Sequence, residues 1–420
     1  MFNLFTNYKV LLYNYYENNM KKRIIKNIRM LKYINKPILI LTLLYAVIGA
    51  FLILDASSIS SVLTYRLDTP YYFFIRQLKF IGGALILSSF ILLFPTKYYR
   101  FVSFILSVGF IVLLASVYIK NSLFSSNVND VTLSLFNGKF QPAEFLKVFL
   151  IMYMGSYYGT WANNKNHAKY SFLFPLILCV ISAGLIFLGG DYGSAAIMLT
   201  LYALVFMSVP SKEKIIKGTK MIALIGLVFC IFLLKFGYKL LPQKVLESDY
   251  RFNRLIYTNP CDRYEDNSGY QVCNGYIAID NGGLMGTGIG ESIQKYMYLP
   301  ASHTDFIFPI VVEELGVVVG VLLILGFMVI IFLVLKVSSE SSRLQNSIIS
   351  YGIAIYFMLH IFVNLGGVLG IIPLTGVPLP FLSYGGSFCI TVLCSFAIVQ
   401  RINMENNYDR IKNTMKGEKK

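Results

Sequence analysis

Ionisable side chains stand beside long apolar runs of this sequence, where they could do chemistry, and Asp305 is one of them. In "LPASHTDFIF" (299–308) it follows a proline and three polar residues and directly precedes an apolar run. A carboxylate at such a boundary is costly, so we expect it either to cap the next helix, stabilised by the helix macrodipole, or to act as a general base. The adjacent His303 and Thr304 favour a reactive site.

Further charges lie at or inside apolar segments. Arg76 lies in "YYFFIRQLKF", near the end of one segment. Glu313 and Glu314 lie about two to three turns into the run that follows Asp305. Because an unpaired buried charge is strongly destabilising, we expect these carboxylates to have a cationic partner such as Arg76.

Two more motifs contain candidate site residues. Glu144 and Lys147, in "QPAEFLKVFL", are three positions apart and therefore share a helix face. Ionisable groups at such depths are functional candidates, although these two could equally neutralise each other with no further role. Asp191, in "LGGDYGSA", has a similar alternative, since it could be the N-cap of the span that follows.

The composition identifies the elements that must position these residues. The chain has 420 residues, of which 56% are hydrophobic and 14% charged, whereas soluble domains are roughly half apolar and a quarter charged. The block at 37–54 contains no charge and is long enough, at about 1.5 Å per residue, to cross a bilayer. Similar blocks recur, which predicts an all-α, polytopic membrane protein.

Ten spans are predicted, forming a membrane domain over 37–400 between a basic N-terminal tail, 1–36, and a C-terminal tail, 401–420. The predicted spans are 37–54, 71–94, 101–119, 141–158, 171–190, 193–209, 219–238, 306–336, 347–371 and 381–400.

The net charge of +16 is concentrated in the segments that ten spans place on one side. The positive-inside rule makes that side the cytoplasm, so both termini are predicted to be cytoplasmic. A basic surface facing anionic lipid explains this charge better than a nucleic-acid partner does. Met20, followed by three basic residues, is a second candidate start, so residues 1–19 are expected to be dispensable.

Two segments are predicted to lie outside the membrane. The large loop, 239–304, contains a glycine-rich stretch that permits unusual backbone angles. It also contains Cys261 and Cys273, which could form a disulfide in an oxidising exterior, although their spacing does not establish one. The second segment, 371–387, is rich in proline and glycine; it is either an ordinary connection or a cavity-lining loop, which irregular backbone at this depth favours.

Four motifs resemble signatures of the SEDS family (shape, elongation, division and sporulation proteins, with RodA, FtsW and SpoVE branches). They are "GYQVCNGYIAIDNGGLMGTGIGESIQKYMYLPASHTDFIFPIVVEELG", "NLGGVLGIIPLTGVPLPFLSYGGS", "QPAEFLK" and "GGDYGSA". The last departs from the family, which commonly has Gln-Pro where this chain has Gly189–Gly190. The resemblance covers about residues 37 to 403, and the "LP" and "EELG" flanking "HTDFIF" favour the FtsW-like division branch.

The resemblance implies an inverting glycosyltransferase that polymerises lipid II, an undecaprenyl-diphosphate disaccharide-pentapeptide, outside the cytoplasmic membrane. Asp305 corresponds to the family's essential aspartate and would be the general base. The leaving diphosphate would be stabilised by side-chain cations or by a divalent cation, Mg²⁺ or Mn²⁺. The predicted substrate-binding residues are Arg76, Glu144, Lys147, Asp191, Arg254, Lys295, His303, Thr304, Ser383 and Tyr384.

Since the chain contains no transpeptidase-like domain, the resemblance also implies a class B penicillin-binding protein as its cross-linking partner, besides other division or elongation proteins. Two alternative functions are a lipid II flippase and a non-catalytic scaffold of the division complex. The choice between division, elongation and sporulation is left open by the sequence.

Overall fold

The structure is a computed structural model that describes residues 27–124, 133–135, 138–162, 170–211, 213–240, 256–265 and 267–417. Within these ranges the regular secondary structure is helical apart from one antiparallel hairpin of two three-residue strands, β1 (Leu133–Leu135) and β2 (Gly138–Phe140). The predicted all-α class is confirmed.

Eleven α-helices occur in the described ranges, and ten of them overlap the ten predicted spans. They are α1 (Lys36–Leu63), α2 (Tyr72–Leu93), α3 (Tyr99–Phe124), α4 (Pro142–Trp161), α5 (Leu173–Leu188), α6 (Tyr192–Met207), α7 (Lys214–Leu240), α8 (Asn267–Gly282), α9 (Ile307–Ser339), α10 (Leu344–Val368) and α11 (Gly386–Gly417). The additional helix, α8, lies inside the predicted large loop. The predicted boundary at residue 400 falls inside α11, which continues to Gly417.

Seven of the described helices are long and apolar enough to cross a membrane: α1, α2, α3, α7, α9, α10 and α11. The apolar helices α5 and α6 are shorter, with 16 residues each, and α4 is buried along most of its length. The chain is therefore a polytopic membrane protein, as predicted.

Helices α10 and α11 form the centre of the molecule. In their most apolar stretches 78% and 89% of residues are buried, against 11% in α2 and 6% in α7, which present most of their surface outward. Helix α4 packs closely on α10 because Gly159 has no side chain; a Cβ there would lie 2.6 Å from the Cα of Gln345. The buried face of α4 carries Glu144 and Lys147 into this centre.

Helix α9 is broken at Gly316, whose φ of 84° and ψ of 163° are far from helical. The loop after α8 packs into this break and forms backbone hydrogen bonds with it. Thr287 N donates to Glu313 O at 2.9 Å, and Val317 N donates to Gly283 O at 3.0 Å. The glycine-rich stretch is therefore fixed against α9, and the chain that leads to Asp305 starts from this attachment.

Candidate functional site

Asp305 lies in the tight turn that leads into α9. Ala301 has a left-handed backbone with φ of 59°, and its carbonyl accepts hydrogen bonds from Thr304 N at 3.0 Å and Phe306 N at 3.2 Å. The carboxylate is half-buried, and the Thr304 hydroxyl donates to its Oδ1 at 2.9 Å. The N-cap of α9 is Phe306, and no side chain caps it. Asp305 is therefore not the N-cap of α9.

Asn364 of α10 holds the backbone of this turn. Its Nδ2 donates to Asp305 O and to Val377 O, each at 2.8 Å, and the side chain is buried. One amide thus joins the start of α9 to the proline-rich segment before α11. Sequence reasoning missed Asn364, although it is the first residue of the "NLGGVLG" motif, where a polar amide beside an apolar span is unusual.

His303 packs in a group of aromatic rings beside the carboxylate. Its ring centroid lies 4.6 Å from that of Phe73 and 6.0 Å from that of Tyr384, and its carbonyl accepts from Tyr384 N at 2.9 Å. Burial lowers the pKa of His303 to about 4, so the imidazole is neutral at physiological pH. His303, Thr304 and Tyr384, predicted separately, lie on one side of the site.

Arg76 of α2 adjoins the same aromatic group. Its Nη1 donates to the Tyr72 hydroxyl at 2.7 Å, and its guanidinium lies 5.9 Å from the centroid of Phe80. Phe80 contacts Tyr384, with 6.4 Å between ring centroids. Burial raises the pKa of the Tyr384 hydroxyl, and the charge of Arg76 opposes that shift. Arg76 is half-buried, so the site contains a positive charge next to this group of aromatic rings.

The proline-rich segment 371–385 forms the floor of the site. Ser383 is buried, and its Oγ accepts from Leu379 N at 2.8 Å, which closes a turn in this segment. The backbone around it is irregular but mostly covered by protein, as irregular backbone next to a bilayer must be. Ser383 therefore shapes the loop that presents Tyr384.

A second polar cluster lies deeper, between α4 and α10. Lys147 Nζ lies 2.8 Å from Glu144 Oε1, and both side chains are almost wholly buried. The Tyr356 hydroxyl donates to Glu144 Oε2 at 3.4 Å, and His360 Nε2 lies 3.9 Å from that oxygen. Tyr356 and His360 were not predicted from the sequence. His360 is one turn from Asn364 on α10, so the cluster adjoins the segment that holds Asp305.

Asp191 is the N-cap of α6. Its Oδ1 accepts from Ser194 N at 2.9 Å, and its Oδ2 accepts from Gln141 Nε2 at 3.1 Å. Gln141 N in turn donates to Ser387 Oγ at 3.0 Å. Asp191 therefore connects the starts of α4, α6 and α11, and these contacts match the capping alternative.

Lys295 lies between two carboxylates. Its Nζ is 2.9 Å from Asp55 Oδ1 and 2.6 Å from Glu314 Oε1, and only 3% of its side chain is exposed. Burial lowers the pKa of Lys295, but its hydrogen bonds to Glu314 and Asp55 outweigh burial, so the pKa is raised and the amine stays charged. The cationic partner expected for Glu314 is thus Lys295, and the expectation of Arg76 was wrong.

Glu313 is satisfied by hydrogen bonds. Its carboxylate accepts from the Ser292 hydroxyl, from Asn281 Nδ2 at 3.1 Å and from the backbone N of Ile293 and Gln294, each at 3.3 Å. Both glutamates therefore bind the loop after α8 to the first turns of α9.

Cys261 and Cys273 form a disulfide that joins a short 3₁₀-helix (Pro260–Arg263) to α8, with their Cα atoms 4.9 Å apart. Arg254 and residues 1–19 lie outside the described residues. In the described part of the chain, no three His, Cys, Asp or Glu side chains are grouped so that they could hold a metal ion.

Apolar helices, a loop fixed into a break in one of them and a half-buried carboxylate at the loop's end define a polytopic membrane protein with a carboxylate site at one end of its helices. Residues 35–408 match the family profile of FtsW, RodA and SpoVE, described as cell cycle proteins. The chain belongs to this family, as its motifs predicted.

Similar proteins include the probable peptidoglycan glycosyltransferase FtsW of Bacillus subtilis (strain 168), which is 34% identical over 393 residues, covering 91% of this chain and 94% of that protein. Stage V sporulation protein E of the same organism is 31% identical over 376 residues, covering 88% and 97%.

Two solved structures have the same fold. A chain of a peptidoglycan synthase complex aligns with a TM-score of 0.65 at 20% identity, covering 89% of this chain and 98% of that one. The rod shape determining protein RodA of Thermus thermophilus aligns with a TM-score of 0.60 at 20% identity, covering 89% and 97%.

Proposed function

We propose that this protein is a peptidoglycan glycosyltransferase, which polymerises lipid II into glycan strands on the outer face of the bacterial cytoplasmic membrane. The observation that carries the proposal is the Asp305 carboxylate, which is half-buried, oriented by Thr304 and not used to cap α9. The names of the similar proteins support the same activity. The FtsW-named relatives also favour a role in cell division.

In the proposed reaction Asp305 accepts the proton of an acceptor sugar hydroxyl as that oxygen attacks the anomeric carbon of the donor. The bond between this carbon and the diphosphate oxygen breaks, and the diphosphate leaves with the bonding electrons. One direct displacement inverts an α-linked donor into a β-linked glycan. Thr304, by donating to Oδ1, fixes the orientation of the carboxylate, and a positioned base of this kind contributes roughly 10²–10⁴ in rate.

Arg76 is the side chain that we assign to the leaving diphosphate. The side chains of Lys295 and Lys147 are only 3% and 0% exposed, so neither presents its charge at the surface of the site. Arg76 is half-buried beside Phe80, and the Phe80 ring contacts Tyr384, which in turn contacts His303. We propose that Glu144 and Lys147, together with Tyr356 and His360, stabilise the helices that position the site.

The orientation and the partner belong to the same proposal. Both termini would be cytoplasmic, and the loop that includes α8, with its disulfide, would face the oxidising exterior. A class B penicillin-binding protein would cross-link the glycan. The resemblance in fold to a chain of a peptidoglycan synthase complex supports such an assembly.

Polymerisation of purified lipid II by the protein in detergent tests the proposal, with and without its transpeptidase partner and with and without Mg²⁺ or Mn²⁺. Asp305→Asn removes the base with little change of shape, so we expect glycan synthesis to fall by roughly 10²–10⁴. Asp280→Asn, on the exposed side of α8, is the matched control and should retain activity.

Full activity of Asp305→Asn would overturn the assignment of the base. If wild type made no glycan even with the partner and a divalent cation, the enzyme proposal would fail, and a lipid-translocation assay would then test the flippase.

A further inference from the structure

A cavity of 490 Å³ lies at the far end of α2 from Arg76. Since α2 has 22 residues, the cavity is about 30 Å from the proposed active site. It is open to the surroundings and is lined by the segment before α3, the start of α3, the middle of α4 and the start of α5. Its lining residues are Lys97, Tyr98, Arg100, Phe101, Phe104, Tyr153 and Phe174.

Two cations mark its polar side. Arg100 Nη1 donates to Thr160 Oγ1 at 3.0 Å, and its guanidinium lies 5.1 Å from the ring centroid of Tyr157, which fixes its position. Lys97 Nζ lies 4.6 Å from the ring centroid of Tyr98. Both cations are exposed, and the described lining includes no carboxylate. The cavity therefore has a positive rim with no counter-charge from its own lining.

Aromatic rings form the other side. Phe104 lies 5.3 Å from Tyr153 and 6.1 Å from Phe174, measured between ring centroids, which makes a continuous apolar surface. Phe101 is 69% exposed and Phe174 is 43% exposed, so this surface is open to a ligand. Tyr153 is nearly buried but lines the cavity, and its hydroxyl has no hydrogen-bond partner among the described residues.

We infer that this cavity binds an anionic phospholipid of the cytoplasmic leaflet. Its phosphate would lie between Lys97 and Arg100, within reach of the Tyr153 hydroxyl, and an acyl chain would cover the phenylalanine rings. A soluble anion would leave those rings in water, whereas a zwitterionic lipid would bring a third positive charge beside the two cations of the rim. Basic pockets at the cytoplasmic ends of helices are suited to anionic headgroups. The inference uses the orientation proposed above but does not depend on the glycosyltransferase activity.

The protein carries its own reporter for a test. The chain has one tryptophan, Trp161, which directly follows Thr160, the partner of Arg100. Full-length protein in detergent is titrated with brominated phosphatidylglycerol or brominated phosphatidylcholine, and quenching of Trp161 fluorescence is measured. We expect phosphatidylglycerol to quench at lower mole fractions. Unbrominated phosphatidylglycerol should relieve the quenching, and soluble glycerol phosphate should not.

Substitutions then test the cations. In the double variant Lys97→Gln with Arg100→Gln, the mole fraction of phosphatidylglycerol that gives half-maximal quenching should rise. The expected rise is roughly fivefold for each cation removed. The matched control, Lys214→Gln with Lys217→Gln, removes two exposed charges from the start of α7 and should bind as wild type does. Lys97→Gln alone should show the single-cation loss, and it is the safer variant because it keeps the hydrogen bond of Arg100 to Thr160.

Equal quenching by both lipids, or unchanged affinity in the Lys97 and Arg100 variants, would overturn the inference. Competition by glycerol phosphate would also overturn it and would assign the cavity to a soluble anion.

Discussion

At the scale of single residues, Lys295 has a structural use for its charge. It lies between Asp55 of α1 and Glu314 of α9, and so it fixes the loop after α8 to two helices at once. A buried ion pair adds little net stability over an apolar replacement, but removing one partner leaves an uncompensated charge. The attachment of the loop depends on this lysine, because without it two carboxylates would lose their cationic partner.

We therefore expect Lys295→Met to destabilise the protein by about 3–5 kcal/mol, because Glu314 is buried and loses the one cation that pairs with it among the described residues. Chemical denaturation in detergent measures this change in the free energy of unfolding. Lys79→Met, an exposed lysine on α2, is the control and should change little. Adding Glu314→Gln to Lys295→Met should restore part of the loss. Equal stability of Lys295→Met and wild type would contradict the structural role.

The sequence was sufficient to select residues whose partners are local, and insufficient where partners are distant. Thr304 contacts the adjacent Asp305, and the motif around them predicted both. Asn364, however, contacts Asp305 across 59 positions, and Asp55 contacts Lys295 across 240. Spacing along one chain has no information on such pairs, because they depend on how helices pack. Lys295 and Asp191 were consequently selected for the substrate, whereas the structure pairs them within the protein.

At the scale of elements, the loop after α8 and the break in α9 depend on each other. Gly316 has a positive φ, and a Cβ there would overlap the Leu284 carbonyl. Gly286 faces the same break, where a Cβ would overlap the Glu314 carbonyl. Glycine is thus required on both sides of this contact, since any side chain would separate the loop from the helix.

Gly316→Ala should cost at least about 2 kcal/mol, from backbone strain together with overlap. It should also lower glycan synthesis, because the attachment of the chain leading to Asp305 is disturbed. Gly184→Ala is the control; a Cβ at this position of α5 meets no atom within 4 Å, so that variant should be neutral or slightly stabilising. Thermal unfolding and the polymerisation assay are measured for both. A Gly316→Ala protein as stable as Gly184→Ala would contradict the predicted strain.

Element type could be predicted from apolar runs, whereas tertiary packing decided the exceptions. Helix α8 was not predicted, because its sequence is polar and contains glycines; it is held against α9 and by the disulfide to Cys261. Helix α1 continues nine residues beyond the predicted end at 54, to Leu63, because Ser57, Ser60 and Ser61 are buried within the protein. The hydroxyls of Ser60 and Ser61 donate to the Ser57 carbonyl within the helix, which hydropathy does not detect.

At the scale of the whole molecule, the proposed active site and the proposed lipid cavity lie at opposite ends of the helices. Both proposals therefore require one defined orientation of the protein in the membrane. The positive-inside rule predicts that Lys97 and Arg100 face the cytoplasm. The other end of helix α2, which contacts the aromatic group around His303, then lies on the opposite side of the membrane. The orientation therefore decides whether Asp305 meets the lipid II headgroup outside.

One cysteine added at an exposed position tests this orientation in intact cells. Glu291→Cys, in the loop after α8, should react with a membrane-impermeant maleimide, because the loop is predicted to be outside. Lys97→Cys, equally exposed, should react only after the cells are permeabilised. The unsubstituted chain is the control for background, since its free cysteines are buried or half-buried. Labelling of Lys97→Cys in intact cells, with no labelling of Glu291→Cys, would mean that the protein has the opposite topology. That result would remove Asp305 from the outer surface, where the proposed reaction needs it.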